Sequence, residues 1–346
     1  MSYTQLRSIV ASTILASSIA FSAGVGAAPL PQLNIDKSQT TVSGASSGGY
    51  MAGQLHVAYS SRFAKGAAVI SGGPFNCAEG SVLNALLRCF GKTDIPVANL
   101  VTLTNQWAKD GSIDATTNLA ASKVYLFAAA NDSVVKEATT TALQAYYLNY
   151  IPAANIALRK DVKGEHSFMT DDYGNACMSK ESPFITNCNF DLAGALLGHL
   201  YGPLNPRKTG TLDGVLSEFD QTPTNGMGSS GWVYVPKGCQ AGTSCRVHVA
   251  LHGCKQNATD VGQEFVRNAG YNRWADTNNI VVLYPQTGKA ATNGCWDWWG
   301  YDDANYAKKS APQMKAIVAM LDRLASGIPT AAKPATKPAA ASPAGK

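Results

Sequence analysis

The chain has 346 residues, of which 15% are charged and 45% hydrophobic, and its formal net charge is +5 at pH 7. This mild, scattered positive charge argues against nucleic acid as a partner and against a strongly charged substrate. Apolar runs alternate with polar turns over residues 29–325, which predicts one large domain with a substantial core.

Residues 1–28 have the three parts of a secretory signal peptide. Arg7 supplies the positive charge, residues 9–21 are apolar but too short and serine-rich for a stable membrane span, and residues 25–28 are small, as signal peptidase requires. A retained membrane anchor is the alternative interpretation. We expect a secreted protein, extracellular or periplasmic, without membrane contact after cleavage.

The periodicity of the remaining chain predicts an α/β fold. Short apolar runs typical of buried parallel strands lie at residues 40–43, 65–71, 123–129, 246–251 and 279–284. Segments typical of helices lie at residues 49–59, 134–147, 191–201, 262–278 and 311–325. This alternation predicts a mostly parallel sheet covered by helices on both faces, with chemistry at the carboxyl ends of the strands.

Residues 44–48 read Gly-Ala-Ser-Ser-Gly and lie between a predicted strand and a predicted helix. This context is typical of a nucleophile elbow, in which a sharp turn exposes the central serine, here Ser46. The backbone N–H of Ser47 would then open the helix, where the helix dipole favours an anion. An ordinary Ser/Gly-rich turn is the alternative.

A serine nucleophile needs a base, and the base needs an orienting carboxylate. Asp132 comes just past the predicted strand 123–129, where it can accept a hydrogen bond from a histidine Nδ1–H. The competing carboxylates are Asp171 and Asp172, which we interpret as solvated loop acids, and Glu165.

Of the five histidines, only His166 lies in a glycine-containing loop after a possible strand, at residues 156–162. The others lie on predicted helices, in a predicted strand or in a turn, and are His56, His199, His248 and His252. We therefore predict His166 as the base, with a surface loop histidine as the alternative. The chain order Ser46, Asp132, His166 is that of α/β-hydrolases.

Eight cysteines in an exported chain predict disulfides. Of the 105 possible connectivities, short loops favour the nearest-neighbour pairing. Those pairs are Cys77 with Cys89, Cys177 with Cys188, Cys239 with Cys245, and Cys254 with Cys295. No Cys-x-x-Cys or His-x-x-x-His spacing accompanies them, so we expect no metal.

Residues 251–254, Leu-His-Gly-Cys, look like an oxyanion-hole turn, yet they follow the elbow by about two hundred residues. In an ordinary α/β-hydrolase this turn precedes the elbow. The reversed order predicts a circularly permuted α/β-hydrolase.

An aromatic run follows Cys295. We expect at least one of its rings to line the substrate cleft, because aromatic side chains bury a large apolar area with little loss of entropy. The alternative is that they belong to the core. The run comprises Trp296, Trp298, Trp299 and Tyr301.

Together these residues resemble the extracellular poly(3-hydroxybutyrate) depolymerases with a circularly permuted catalytic domain. The motifs that carry the resemblance lie at residues 43–52, 72–77, 248–256, 270–276 and 293–298. The resemblance implies Ser46 as the nucleophile, Asp132 and His166 as its partners, and the same four disulfides. It also implies the backbone N–H groups of Ser47 and Cys254 as oxyanion donors.

Many members of that family carry a linker and a polymer-adsorbing domain. Here residues 326–346 are rich in Ala, Pro and Lys and predict a disordered tail. Adsorption would then depend on exposed apolar residues of the catalytic domain, residues 29–325.

These observations predict a secreted serine esterase that cleaves poly(3-hydroxybutyrate) or its oligomers, acting as a monomer without a cofactor. One alternative is another carboxylesterase, such as a feruloyl or acetylxylan esterase, since the same triad serves any ester. The other is a non-catalytic polymer-binding protein on a hydrolase scaffold.

Overall fold

A nine-stranded sheet forms the centre of the computed structural model, which describes residues 27–221 and 226–327. The predicted signal peptide and tail lie outside the described residues, except for two residues of each. In chain order the strands are β1 (Ala28–Pro29), β2 (Ile35–Ala45), β3 (Gly66–Ile70), β4 (Lys123–Phe127), β5 (Ile156–Arg159), β6 (Phe168–Thr170), β7 (Asn175–Ala176), β8 (Ile185–Asn187), β9 (Val215–Asp220), β10 (Ser230–Val235), β11 (Cys245–Leu251) and β12 (Ile280–Tyr284).

The large sheet has the spatial order β1-β9-β10-β12-β11-β2-β3-β4-β5, and β6, β8 and β7 form a separate small sheet. Every neighbouring pair from β12 to β5 is parallel, whereas β10 runs antiparallel to both β9 and β12. The predicted mostly parallel sheet is therefore confirmed. Strands β9 and β10, which the sequence did not predict, supply its antiparallel pairs, and β1, also not predicted, lies outermost and parallel to β9.

The helices cover both faces of this sheet, as predicted. They are α1 (Ser47–Ala58), α2 (Val82–Asn84), α3 (Val97–Lys109), α4 (Glu137–Tyr147), α5 (Leu192–Tyr201), α6 (Lys237–Gln240), α7 (Ala258–Val261), α8 (Glu264–Asn268), α9 (Tyr271–Asn278) and α10 (Pro312–Leu324). One core packs the sheet against α1, α3, α4 and α10, and a second packs it against α5, α8 and α9. Adjacent strand residues alternate between these cores: Val249 belongs to the first and Ala250 to the second.

Two predicted helices differ from those observed. The predicted helix 262–278 is broken, because Gly270 has a φ of 87° between α8 and α9. The helix predicted from residue 134 begins at Glu137. The N–H groups of Val134 and Val135 instead donate to Asp132 Oδ1, at 2.9 and 2.8 Å.

The register of the central strands brings the two signature turns together. In the parallel pair β11 and β2, Leu251 lies opposite Gly44, although the two residues are far apart in the chain. Parallel neighbours end at the same edge of a sheet, so the turn after β11 lies beside the turn after β2. This arrangement is the one that a circularly permuted α/β-hydrolase requires.

The structure contains four disulfides, which are Cys77–Cys89, Cys177–Cys188, Cys239–Cys245 and Cys254–Cys295. These are the nearest-neighbour pairs that the short loops favoured. In the part of the chain that the structure describes, no helix has the length and apolar character needed to cross a membrane.

Candidate active site

Ser46 occupies a sharp turn between β2 and α1. Its φ of 54° lies in the left-handed region that non-glycine residues rarely adopt, and such strain is concentrated at functional sites. Its backbone N–H donates to the carbonyl oxygen of Ile70, at 2.9 Å, which anchors the turn to β3. A Cβ atom on Gly44 would lie 2.1 Å from the carbonyl oxygen of Gly48, so the turn closes only with glycine.

Three side chains from separate strand ends meet at this turn. Ser46 Oγ lies 2.9 Å from His166 Nε2, and His166 Nδ1 lies 2.8 Å from Asp132 Oδ2. Because the carboxylate accepts from Nδ1–H, Nε2 is left as the acceptor for the serine hydroxyl. This geometry can deprotonate Ser46 as it attacks a carbonyl carbon.

Asp132 is buried and held in its ionised form. Burial by itself would raise its pKa, but the hydrogen bond and the charge of His166, with the backbone N–H of Val135, outweigh burial and lower the pKa. The second carboxylate oxygen also accepts from the N–H of Val134. The side chain is therefore locked while it orients the imidazole.

The turn after β11 abuts Ser46. A Cβ atom on Gly253 would lie 3.5 Å from Ser46 Cβ, and the backbone N–H of Gly253 donates to Gln256 Oε1 at 2.8 Å. Cys254, the next residue, is bonded to Cys295. The predicted oxyanion donors, the N–H groups of Ser47 and Cys254, thus belong to the two backbone segments that flank the serine.

The remaining histidines are engaged elsewhere. Burial lowers the pKa of His56 and His248 to about 3 and that of His252 to about 4, so all three are neutral at physiological pH. His199 Nε2 contacts the carbonyl oxygen of Asn155 at 3.1 Å. Among the described hydrogen bonds, the imidazole that contacts Ser46 Oγ is that of His166.

The competing carboxylates also have other partners. Asp171 pairs with Arg207 at 2.7 Å and Asp172 with Arg273 at 2.6 Å. Glu165 accepts from the side-chain hydroxyl of Ser133 at 2.8 Å.

A cavity of about 360 Å³ opens at Ser46 and is lined also by His166 and Cys254. Its aromatic walls are Phe90, Phe168 and Phe184, which the sequence did not single out. The motifs gave no signal for them, because they come from three segments that only the fold brings together.

The aromatic run after Cys295 does not line this cavity, contrary to the sequence-based expectation. Trp296 is fully buried and donates from Nε1 to the carbonyl oxygen of His252 at 3.0 Å. Trp298 is also buried and stacks on Tyr50, with ring centroids 4.1 Å apart. Trp299 and Tyr301 are half-buried and pack on each other at 4.8 Å. These rings mainly support the turns around the site.

Comparison with known proteins identifies the family. The family model described as "Esterase PHB depolymerase" matches residues 230–327. A poly(3-hydroxybutyrate) depolymerase of Delftia acidovorans is 60% identical over 88% of this chain, but the match spans 64% of that protein's length. A polyhydroxybutyrate depolymerase of Talaromyces funiculosus is 39% identical over 88% of this chain and 95% of its own.

Two solved structures share the fold. One is PHB depolymerase from Penicillium funiculosum, and the other is a serine-to-alanine variant of a PHB depolymerase complexed with an R3HB trimer. Each has a TM-score of 0.82 and 37% identity, over 87% of this chain and 99% of its own. The resemblance predicted from the motifs is thereby confirmed, and the chain belongs to the polyhydroxybutyrate depolymerase family.

Proposed function

We propose that this protein is a secreted serine esterase that hydrolyses the ester bonds of poly(3-hydroxybutyrate) or its oligomers through an acyl-enzyme on Ser46. The observation that carries the proposal is the hydrogen-bonded series from Ser46 through His166 to Asp132. The related PHB depolymerase that is complexed with an R3HB trimer supports a 3-hydroxybutyrate ester as the substrate.

In the first half of the reaction, Ser46 Oγ bonds to the ester carbonyl carbon while His166 Nε2 takes the hydroxyl proton. The N–H groups of Ser47 and Cys254 stabilise the charge on the carbonyl oxygen, and one such donor is worth ~2.7–4 kcal/mol in studied hydrolases. His166 then gives the proton to the departing alkoxide oxygen. The alcohol-side fragment leaves, and the acyl group remains on Ser46.

In the second half, water gives a proton to His166 and its oxygen bonds to the acyl carbon. The bond to Ser46 Oγ breaks, Ser46 regains the proton from His166, and the acyl-side fragment leaves as a hydroxyacid. Asp132 stays ionised throughout and stabilises the imidazolium form of His166.

The test of the nucleophile is Ser46→Ala, with Ser38→Ala on the same strand as a matched control. Ser38 is exposed and its hydroxyl contacts Asp36, so its loss leaves the site intact. Ser46→Ala should reduce turnover of a polyhydroxybutyrate film and of p-nitrophenyl butyrate about 10⁶-fold and abolish fluorophosphonate labelling. Asp132→Asn should reduce turnover about 10⁴-fold. Full activity in Ser46→Ala would overturn the assignment.

The substrate class is tested by comparing rates on polyhydroxybutyrate film and 3-hydroxybutyrate oligomers with rates on feruloylated and acetylated xylan. Mass analysis of the products should show hydroxybutyrate fragments. Faster release of ferulate or acetate would assign the protein to the carbohydrate esterases instead.

An exposed apolar segment beside the cavity supports action on a water-insoluble polymer. Val82 and Leu83 are 60% and 62% exposed, and Leu86 and Leu87 extend the same surface. We call these four residues the apolar segment. It lies inside the loop closed by the Cys77–Cys89 disulfide, and Phe90, the next residue after that loop, lines the cavity. Such a patch is a candidate contact with an apolar surface.

Export is supported by the leader-like residues 1–28 and by the disulfides, which persist in oxidising compartments. We further propose that the exported protein is a monomer. Amino-terminal sequencing of the secreted form and its elution volume on gel filtration test both points, and an uncleaved or dimeric product would contradict them.

A further inference from the structure

A second cavity, of about 620 Å³, adjoins the one at Ser46. Phe184 and Lys255 line both cavities, so the two are adjacent. The charged side chains of the second cavity are Lys255, Lys289 and Asp260. Neither lysine forms an ion pair with any residue in the described parts of the chain. Lys255, Lys289 and Asp260 are all exposed, and the two lysines have no ionic partner among the described residues.

The backbone at Lys255 is held in place from several sides. Its φ is 56°, which is unusual for a side chain of this size, and its N–H donates to the carbonyl oxygen of Asn293 at 2.9 Å. The preceding residue is held by the Cys254–Cys295 disulfide. A strained conformation that is maintained by its surroundings is a pointer to a functional position.

The neighbouring residue fixes the wall between the two cavities. Gln256 Nε2 donates to the carbonyl oxygens of Pro183 and Phe184, at 3.1 and 3.0 Å. The backbone of Lys255 is thus fixed between the two cavities. From there its long side chain can reach a ligand that extends from Ser46 toward the second cavity.

The chemistry of the substrate indicates what such a cation would bind. When a 3-hydroxybutyrate ester is cleaved, the alcohol-side fragment continues toward the carboxyl end of the chain. In a soluble oligomer that fragment ends in a carboxylate. A lysine pair in a cavity adjacent to the one at the nucleophile can attract this charge before cleavage and orient the ester.

We propose that Lys255 and Lys289 form a subsite for the terminal carboxylate of 3-hydroxybutyrate oligomers, on the leaving-group side of Ser46. The inference rests on the proposed function and deepens it, because it assigns which end of a soluble oligomer, the carboxyl end, lies in the second cavity. Asp260 opposes this binding, since its charge has the same sign as that of the ligand.

The test compares a 3-hydroxybutyrate tetramer acid with its methyl ester, which lacks the terminal charge. The readout is the ratio of kcat/KM for the acid to kcat/KM for the ester, so any general loss of activity cancels. Lys255→Gln and Lys289→Gln should each lower the ratio about threefold through a higher KM for the acid, and the double variant about tenfold. Asp260→Asn should raise the ratio. Added salt should lower it in the wild type.

The matched control is Lys315→Gln, because Lys315 is exposed on α10 and lines neither cavity. Its ratio should equal that of the wild type. A ratio that is unchanged in the double variant, or that falls equally in the control, would overturn the carboxylate subsite. Failure of the proposed function is distinguishable, because the methyl ester would then not be hydrolysed at all.

Discussion

His252 donates from Nδ1 to the carbonyl oxygen of Gly253, at 2.7 Å. Its Nε2 accepts from the backbone N–H of Thr287 at 3.2 Å, so the ring proton resides on Nδ1. The Gly253 carbonyl belongs to the same peptide group as the N–H of Cys254. The buried, neutral His252 therefore orients and polarises the peptide that we propose as an oxyanion donor.

Replacing His252 tests this relationship. His252→Ala should lower kcat about tenfold with KM unchanged, because the donor acts only as charge develops. His252→Asn keeps an N–H near the position of Nδ1 and should recover most of the loss. Steady-state kinetics on p-nitrophenyl butyrate gives both constants, and a thermal melt checks folding. A folded His252→Ala protein with wild-type kcat would contradict the role.

Gly48 permits close contact between α1 and the turn after β11. A Cβ atom there would lie 2.4 Å from the carbonyl oxygen of His252, whereas one on Gly53, in the same helix, meets nothing within 4 Å. Gly48→Ala should destabilise the protein by about 1–3 kcal/mol and strongly reduce activity, because it pushes the two segments apart.

The control, Gly53→Ala, should be fully active and more stable by roughly 0.5–1 kcal/mol, since alanine favours the helix. Urea unfolding and esterase assays measure both effects. Equal behaviour of the two variants would show that the contact at Gly48 is unimportant.

Stability should fall in acid because of three buried histidines. Burial lowers the pKa of His56 and His248 to about 3 and that of His252 to about 4, from 6.5. At a pH between the lowered pKa of the folded protein and the ordinary value of 6.5, these histidines bind more protons in the unfolded chain than in the folded one. The stabilisation is therefore complete above pH 6.5 and is lost as the pH falls toward 4 and 3.

In this pH range each histidine contributes up to about 1.4 kcal/mol per pH unit to the slope of the free energy of unfolding against pH. Urea unfolding between pH 3.5 and 8 measures it. His56→Gln, which can still contact the Tyr147 hydroxyl, should reduce the number of protons taken up on unfolding by about one, and the slope falls accordingly. A free energy of unfolding that does not change between pH 6.5 and 4 would be inconsistent with neutral buried histidines.

The apolar segment should determine how tightly the protein adsorbs to a polymer film, without affecting ester hydrolysis at Ser46. The double variant Leu83→Ser, Leu86→Ser should bind polyhydroxybutyrate film on the order of tenfold more weakly, because less apolar area is buried at the contact. Hydrolysis of soluble p-nitrophenyl butyrate should be unchanged.

Val215→Ser is the control for that experiment, since Val215 is 51% exposed on β9 and does not line the cavity at Ser46. It should leave film binding at the wild-type level. Equal losses in the control and in the double variant would rule out a specific surface.

Local patterns in the sequence predicted much of the fold and of the candidate site. Strand and helix periods, the glycine-flanked Ser46 and the sequence-local cysteines are short-range signals, and they predicted the confirmed fold class and family. Sequence elimination also selected Asp132 and His166 over their competitors. Their roles stay predictions, which the observed distances support.

Only the tertiary structure decided which side chains face the cavity. The aromatic run after Cys295 supports the turns, while Phe90, Phe168 and Phe184 line the space at Ser46. Periodicity reports whether a side chain is buried, but not which distant segment it meets. The order of the two signature turns predicted that β11 would lie beside β2, but the contacts made by the His252 ring and the cavities lined by Lys255 depend on segments that no local pattern brings together.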